Sequence, residues 1–332
     1  MKVYHGLDSP ELRLPHCALT IGNFDGVHRG HQQIIAQAGL FAANTGGPTA
    51  VVTFEPHPLT VVAPDRAPPR LTPQDEKLDC LAAAGADVTV VCLADRALLS
   101  LTAEAFVARL VERLHPTHIV EGASFGFGRG RSGNPDTLRS LGEQHGFEVF
   151  IVDPVRLQLD GGTTLEVSSS MIRKLIAEGR VHRAALCLGR PYALLGRVAS
   201  GRGRGASLGY PTANLEVSEQ LVPQDGVYSG FARLIDEGAG QGRDWPAAVS
   251  IGTAPTFENE PERKIEAFLL DADLDLYGRR MRLAFGQWLR GQEKFDSVEA
   301  LSAQIARDVE AVRRYAARRA AISEDQPADS DT

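Results

Sequence analysis

The sequence predicts two domains of different class. The first is an α/β domain with a parallel sheet and helices on both faces. The second is a small antiparallel β-barrel closed by a terminal helix. Three observations predict this. A chain of 332 residues amounts to two domains at roughly 100–200 residues each. In the first half, short apolar strands alternate with amphipathic helical segments, the rhythm of a parallel sheet. Beyond about residue 190, short strands are broken by Gly, Pro, Asp and Asn, as in an antiparallel barrel.

The elements follow in order. CALTIG (17–22) is a short apolar strand ending in glycine. The helix after it, about 29–44, places Ile34, Ile35, Ala38, Phe41 and Ala42 on one face. TAVVTF (49–54), VTVVCL (88–93), HIVE (118–121) and EVFIVD (148–153) read as further strands. Helices fall between them, near 73–84, 103–114 and 134–145. Two short helices, about 170–178 and 181–188, stop at Gly179 and Gly189, and Pro191 follows the second. The domains are therefore read as 1–186 and 187–320. ALLGRVAS, VYSGFARLI, AAVSIG, KIEAFLL and MRLAFGQWL supply the barrel strands. The closing helix, about 297–319, is capped by Asp296 or Ser297 and carries a stripe of Leu301, Ile305, Val309 and Val312. The acidic tail 321–332 lacks aromatic residues and is expected to be disordered.

Composition removes several classes of function. Apolar residues at 43% are enough to offset chain entropy, which excludes a disordered chain. Lysine and arginine total 35 against 42 acidic residues, a net charge of −7, opposite in sign to a nucleic-acid binder. Arginines still cluster at 128–131, 200–204 and 313–319. The four cysteines form no CxxC pair, so neither a disulfide framework nor a structural zinc site is expected. MKVYHGLDSP lacks the apolar core of a signal peptide, and no apolar run approaches the ~20 residues of a membrane span. The expectation is a reduced cytoplasmic protein with neither nucleic-acid nor membrane partners.

GNFDGVHRGHQ (22–32) lies between the first strand and the first helix. Its glycines allow close backbone approach, and His28 and His31 share a face at a helix N-terminus. Such a site suits a nucleotide triphosphate whose charge shifts as pyrophosphate leaves. A metal pair and two surface histidines are the other readings. Ser168, Ser169, Ser170 and Arg173 open a later helix, either as an anion site or as an N-cap with its neighbours. EGASFGFGRGRSG (121–133) offers Phe125 and Phe127 for ring stacking and Arg129 and Arg131 for phosphates; the alternative is a solvated loop. In the second half, GRGRGASLGYPTAN (201–214) is glycine-rich without the Gly-Lys-Ser/Thr of a Walker loop. Thr212 and Asn214 alternate along a strand and offer oxygens to Mg²⁺. Glu266 lies on an apolar strand, where it is either a general base for an attacking alcohol or an outward-facing residue.

The GxFDGxHxGH motif resembles the signature of the nucleotidylyltransferase superfamily. Together with FEPHP (54–58) and SSSMIR (168–173), it is similar to the flavin adenylyltransferase module of bacterial bifunctional riboflavin kinase/FAD synthetases. LGYPTANL, GVYSG, IGTAPTF, IEAFLLD, DLYG and LRGQEKF are similar, in the same order, to the riboflavin kinase domain of that family. The resemblance spans about residues 14–318. It implies a Rossmann-like first domain and a two-step synthesis, riboflavin to FMN and FMN to FAD, with ATP and Mg²⁺ in both steps. For adenylyl transfer it implies ATP contacts at Gly22, Asn23, Phe24, Asp25, His28, His31, Ser168, Ser169, Ser170 and Arg173. Flavin contacts in that domain would be His57, Pro58, Ser124, Phe125, Phe127 and Arg129. For the kinase it implies ATP contacts at Gly201, Gly203, Gly205, Ser207, Gly209, Pro211, Thr212 and Asn214, with Thr212 and Asn214 on the metal. Glu266 would be the base and Arg290 a flavin neighbour, an ion pair being the other reading of Arg290. Asp308 matches the family's terminal Asp but reads as a solvated helix residue. The chain departs from the family at Ser124 (usually Asp or Asn), Ser170 (usually Thr) and Ala206 (usually Arg). Two rival functions are a nucleotidylyltransferase for another substrate and a flavin-binding protein without catalysis.

Overall fold

A computed structural model describes residues 1–159, 162–199, 209–253 and 263–324. Its contacts divide the chain into two units, Met1–Met171 and Ile172–Thr332.

The first unit is built on a six-stranded parallel sheet: β1 (Lys2–His5), β2 (Cys17–Ile21), β3 (Thr49–Glu55), β4 (Val88–Leu93), β5 (Pro116–Gly122) and β6 (Glu148–Val152). Their spatial order is β1-β4-β3-β2-β5-β6. Every residue of β2 is buried, as a central strand covered on both faces must be. The helices begin and end on local chemistry. α1 (Arg29–Thr45) ends at Gly46, whose φ of 73° a side chain would resist. After the short α2 (Pro58–Val62), α3 (Gln74–Ala83) and α4 (Arg96–Leu99), α5 (Ala103–Leu114) is capped by Thr102. α6 (Pro135–His145) is capped by Asn134, with Pro135 at its first position. Leu19, Val90, Leu110, Ile119 and Leu138 belong to one buried cluster on the face that α5 and α6 cover.

Five elements were not expected: β1, α2, α4 and the two strands of a hairpin, β7 (Arg156–Gln158) and β8 (Thr164–Glu166). β1 is mostly exposed and pairs only with β4, so it carries no apolar run to signal it.

The second unit opens with α7 (Ser169–Ala177), whose first residues belong to the first unit, and α8 (Val181–Leu188). The division therefore lies upstream of the 186/187 boundary read from the sequence. The reason is packing: α8 lies against the barrel, and Trp288 fills the space beside Gly179. Strands β9 (Ala193–Ala199), β10 (Ala213–Glu216), β11 (Gly226–Leu234), β12 (Asp244–Thr253), β13 (Arg263–Leu269) and β14 (Arg280–Arg290) close a barrel in the order β10-β13-β12-β11-β14-β9. Val249, Ile251, Ile265, Ala267 and Leu269 alternate into its interior. α9 (Val298–Glu324) packs across β11, β12 and β14, with Val312 fully buried. Gly201, Gly203, Gly205, Ala206, Ser207, residues 254–262 and most of the acidic tail lie outside the described residues.

Candidate active sites

The loop after β2 is shaped by its backbone. Phe24 and Val27 adopt positive φ values of 47° and 37°, and Gly26 one of 88°. A β-branched residue in that region is strained, and such strain persists where the surrounding structure imposes it. The loop delivers His28 to the N-cap of α1, where its Nδ1 accepts from the His31 N–H at 3.3 Å. The two imidazoles stack with centroids 3.6 Å apart and planes 17° apart. Among the described residues, His31 Nδ1 is buried without a hydrogen-bond partner. Burial first, then the adjacent His28, hold the His31 pKa well below the usual imidazole value, so this ring is neutral. An orphaned ring nitrogen at a helix N-terminus is set up for an incoming polar ligand.

The neighbouring loops converge on this one. His57 caps α2, its Nδ1 accepting from the Leu59 N–H at 3.2 Å, and its Nε2 lies 3.2 Å from the Asn23 amide. Pro58 follows as the first residue of α2. Asp25 turns its carboxylate away, to the Leu71 N–H at 3.0 Å and the Thr72 N–H at 3.1 Å. Ser169 donates to the Asp25 carbonyl at 2.8 Å, while Ser168 caps α7 by accepting from the Met171 N–H at 3.2 Å. Ser170 is exposed, and Arg173 is half-buried on α7. Sequence reasoning missed the ion cluster beside His57. Glu55, at the end of β3, holds Arg70 at 2.5 Å and the buried Lys77 at 3.4 Å. Burial lowers the Lys77 pKa, and Glu55 opposes that shift. It also missed Glu121, a fully buried acid near the end of β5.

The loop after β5 separates its residues. Phe127, 6% exposed, packs beneath Gly133 and against Phe106 in the core, so it presents no face for a flat ligand. Phe125 stacks on Phe127 at 5.2 Å and remains half-buried. Ser124 and Arg129 are exposed, and Arg131 ties the loop by donating to the Ser124 carbonyl at 3.1 Å.

In the barrel, cross-strand register builds the second site. Asn214 on β10 stands opposite Glu266 on β13, and Glu266 opposite Ser250 on β12. The burial alternation of β13 puts Glu266 on the outer face. Gln292 donates to Ser250 Oγ at 3.0 Å and to the Ile251 carbonyl at 2.7 Å. Thr212 is half-buried and Pro211 exposed, and Gly209 has a φ of 82°. Arg290 binds Asp308 with Nε at 3.1 Å and a terminal nitrogen at 2.8 Å, and Gln304 donates to the same carboxylate at 2.9 Å. Asp308 is thus buried and paired, where the sequence suggested a solvated position. The stripe of apolar residues did not reveal that its neighbour on the helix faces an arginine of β14.

A family model described as FAD synthetase matches residues 11–170, and one described as riboflavin kinase matches residues 188–316. A bifunctional riboflavin kinase/FMN adenylyltransferase from Pseudomonas fluorescens is 40% identical, covering 96% of this chain and 98% of the relative. The chain belongs to the bifunctional riboflavin kinase/FMN adenylyltransferase family. Another member, from Escherichia coli K12, is 36% identical over 90% of this chain and 92% of its own length. A solved structure described as a macrolide-efflux protein from Streptococcus pneumoniae is 29% identical, with a TM-score of 0.81, covering 94% of this chain and 99% of that one. Among the described residues, no helix is long and apolar enough to cross a membrane. Within the family, the first unit carries the adenylyltransferase sequence motifs and the barrel those of the kinase.

Proposed function

We propose that this chain makes FAD in two steps, one in each unit. In the barrel, the ribityl 5′-hydroxyl of riboflavin attacks the γ-phosphorus of ATP, giving FMN and ADP. In the first unit, a phosphate oxygen of FMN attacks the α-phosphorus of a second ATP, giving FAD and pyrophosphate. The observation that supports this most is the register that puts Asn214 beside Glu266, in a chain that also stacks His28 on His31 at a helix N-terminus.

A primary alcohol is a weak nucleophile at neutral pH, so Glu266 takes its proton as the bond to phosphorus forms. Arg290, fixed by Asp308, lines the flavin side. The FMN phosphate needs no such base. His28 Nδ1 accepts the His31 N–H, which puts a ring proton on Nε2 as a donor to phosphate oxygens. His31 is the second imidazole of that pair. His57, Pro58, Ser124, Phe125 and Arg129 supply the flavin side of this unit, and Asn23, Ser170 and Arg173 the ATP side. Phe24, Asp25, Ser168, Ser169 and Phe127 act from beneath, by shaping the loops.

Magnesium enters with ATP. Among the described residues, no group of three or more His, Cys, Asp or Glu side chains stands together as a cage. The oxygens of Thr212 and Asn214 suit a hard ion that keeps phosphate and water as its other ligands. Bound there, Mg²⁺ offsets phosphate charge. None of the four cysteines is in a disulfide, in keeping with a cytoplasmic enzyme. Chromatography of riboflavin incubated with ATP and Mg²⁺ tests the reading. FMN followed by FAD is expected, and unchanged riboflavin would refute it.

A further inference from the structure

In the first unit the chain leaves β2 toward β3 on one side and returns to β5 on the other. The gap between the carboxyl ends of β2 and β5 is therefore the switch point, where an open parallel sheet leaves a crevice for ligands. Glu121 stands there. The backbone ladder between β2 and β5 stops at Leu19 opposite Ile119. On the other side of β2 the Gly22 N–H still reaches the Val52 carbonyl of β3 at 3.0 Å. The Ile21 N–H points the opposite way, past the end of the ladder, and finds Glu121 Oε1 at 2.6 Å. The Thr20 hydroxyl lies 3.5 Å from the same oxygen. Ile21 is the last residue of β2, and Gly22 and Asn23 follow it directly into the loop of the stacked histidines.

We propose that Glu121 is a positioning residue for adenylyl transfer, tying the end of β2 to the end of β5 and so fixing the Gly22–Asn23 backbone beneath the nucleotide. This rests on the reading of the first unit as the FAD-forming one. A core leucine or methionine would pack here without the cost of burying a carboxyl, but would leave the Ile21 N–H unpaired. Among the described residues Glu121 has no cation partner. Burial raises its pKa well above the carboxylate range, and the Ile21 amide and Thr20 hydroxyl lower it by less. It works as a neutral acid, which also spares the phosphates of ATP and FMN a buried negative charge below them. The groups set against it are Thr20 and Ile21 of β2 and Ile151, in register on β6. None of these titrates.

The test uses the full chain, with FAD formation from FMN and ATP and riboflavin phosphorylation measured on each preparation across pH. Glu121→Gln keeps the acceptor oxygen, so kcat/KM for FAD formation at neutral pH stays within about twofold; the wild type is expected to show an alkaline decline as pH rises through the raised Glu121 value, and this variant is not. Glu121→Met removes the acceptor and lowers that kcat/KM about 10–100-fold, the scale of a misplaced reacting group, with kinase activity unchanged. An E121M enzyme with wild-type FAD formation overturns the proposal, as does an E121Q enzyme with the wild-type alkaline decline. Should E121M lose both activities through misfolding, the E121Q profile decides. A wild-type chain that makes no FAD refutes instead the reading of the whole unit.

Discussion

Gly30, between the two stacked histidines, gives a prediction in which stability and activity move apart. It is the second residue of α1 and its backbone is helical, so alanine meets no conformational barrier there. In a helix, replacing glycine by alanine stabilises by roughly 0.5–1 kcal/mol. The added Cβ, however, would stand 3.1 Å from His28 Cε1 and 3.2 Å from its Nδ1. The imidazole must then give by a few tenths of an ångström. It has no room toward His31, whose ring centroid is already 3.6 Å away. It must turn outward instead, stretching a bond from the His31 N–H that is already 3.3 Å long. A reacting group misplaced by about 1 Å costs about 10²-fold in rate, so a shift of this size costs about tenfold. Gly30→Ala is therefore expected to change thermal stability by less than about 1 kcal/mol, because helix gain and crowding oppose. FAD formation from FMN should fall about tenfold with riboflavin phosphorylation intact. Coupled detection of FAD and FMN by chromatography reads both on one sample. A folded Gly30→Ala enzyme with wild-type FAD formation would show that the His28 ring position is immaterial, and the reasoning fails.

Three further outcomes are expected. Glu266→Gln should lower kcat for FMN formation by about 10²–10⁴ with riboflavin KM little changed, and leave FAD formation from supplied FMN intact; a raised KM alone would make Glu266 a binding residue. Asp308→Ala strips the partner from Arg290, whose side chain is 16% exposed, and should destabilise the barrel by about 3 kcal/mol. Both tryptophans, Trp245 and Trp288, lie in that unit, so tryptophan fluorescence in urea follows it, and a loss below about 1 kcal/mol would contradict the buried pair. Glu121 binds a proton in the folded state that it releases in the unfolded chain, so its contribution to stability falls as pH rises from the ordinary carboxylate range through its raised folded value. Glu121→Gln removes that slope, and melting curves that fall equally with pH in both proteins would reject the buried neutral acid.

The local elements were legible because local chemistry writes them. Asn134-Pro135 opens a helix and Gly146 ends it wherever they occur, since a cap needs only its own backbone. The alternation of Ile265, Ala267 and Leu269 marks a barrel strand with Glu266 on its other face. His28 with His31, and Thr212 with Asn214, were legible for the same reason, since spacing along helix or strand fixes which residues share a face, while Glu266 was singled out by the family resemblance. The rest depended on which elements become neighbours. No spacing in the sequence says that β10 lies against β13, so the pairing of Asn214 with Glu266 exists only in the closed barrel. Phe127 reads as a ring offered by a glycine-rich loop, and packing under Gly133 takes it into the core. Asp308 reads as a solvated acid, yet β14 brings Arg290 against it across 18 residues of chain. Glu121 reads as the polar end of a strand, and only the strand order puts its carboxyl beneath the crevice. Sequence by itself determined what most of the longer segments are, because hydrogen bonds and side-chain periodicity act over a few residues. Tertiary structure decided which buried charges and rings meet, because burial and register are properties of segments distant in the chain.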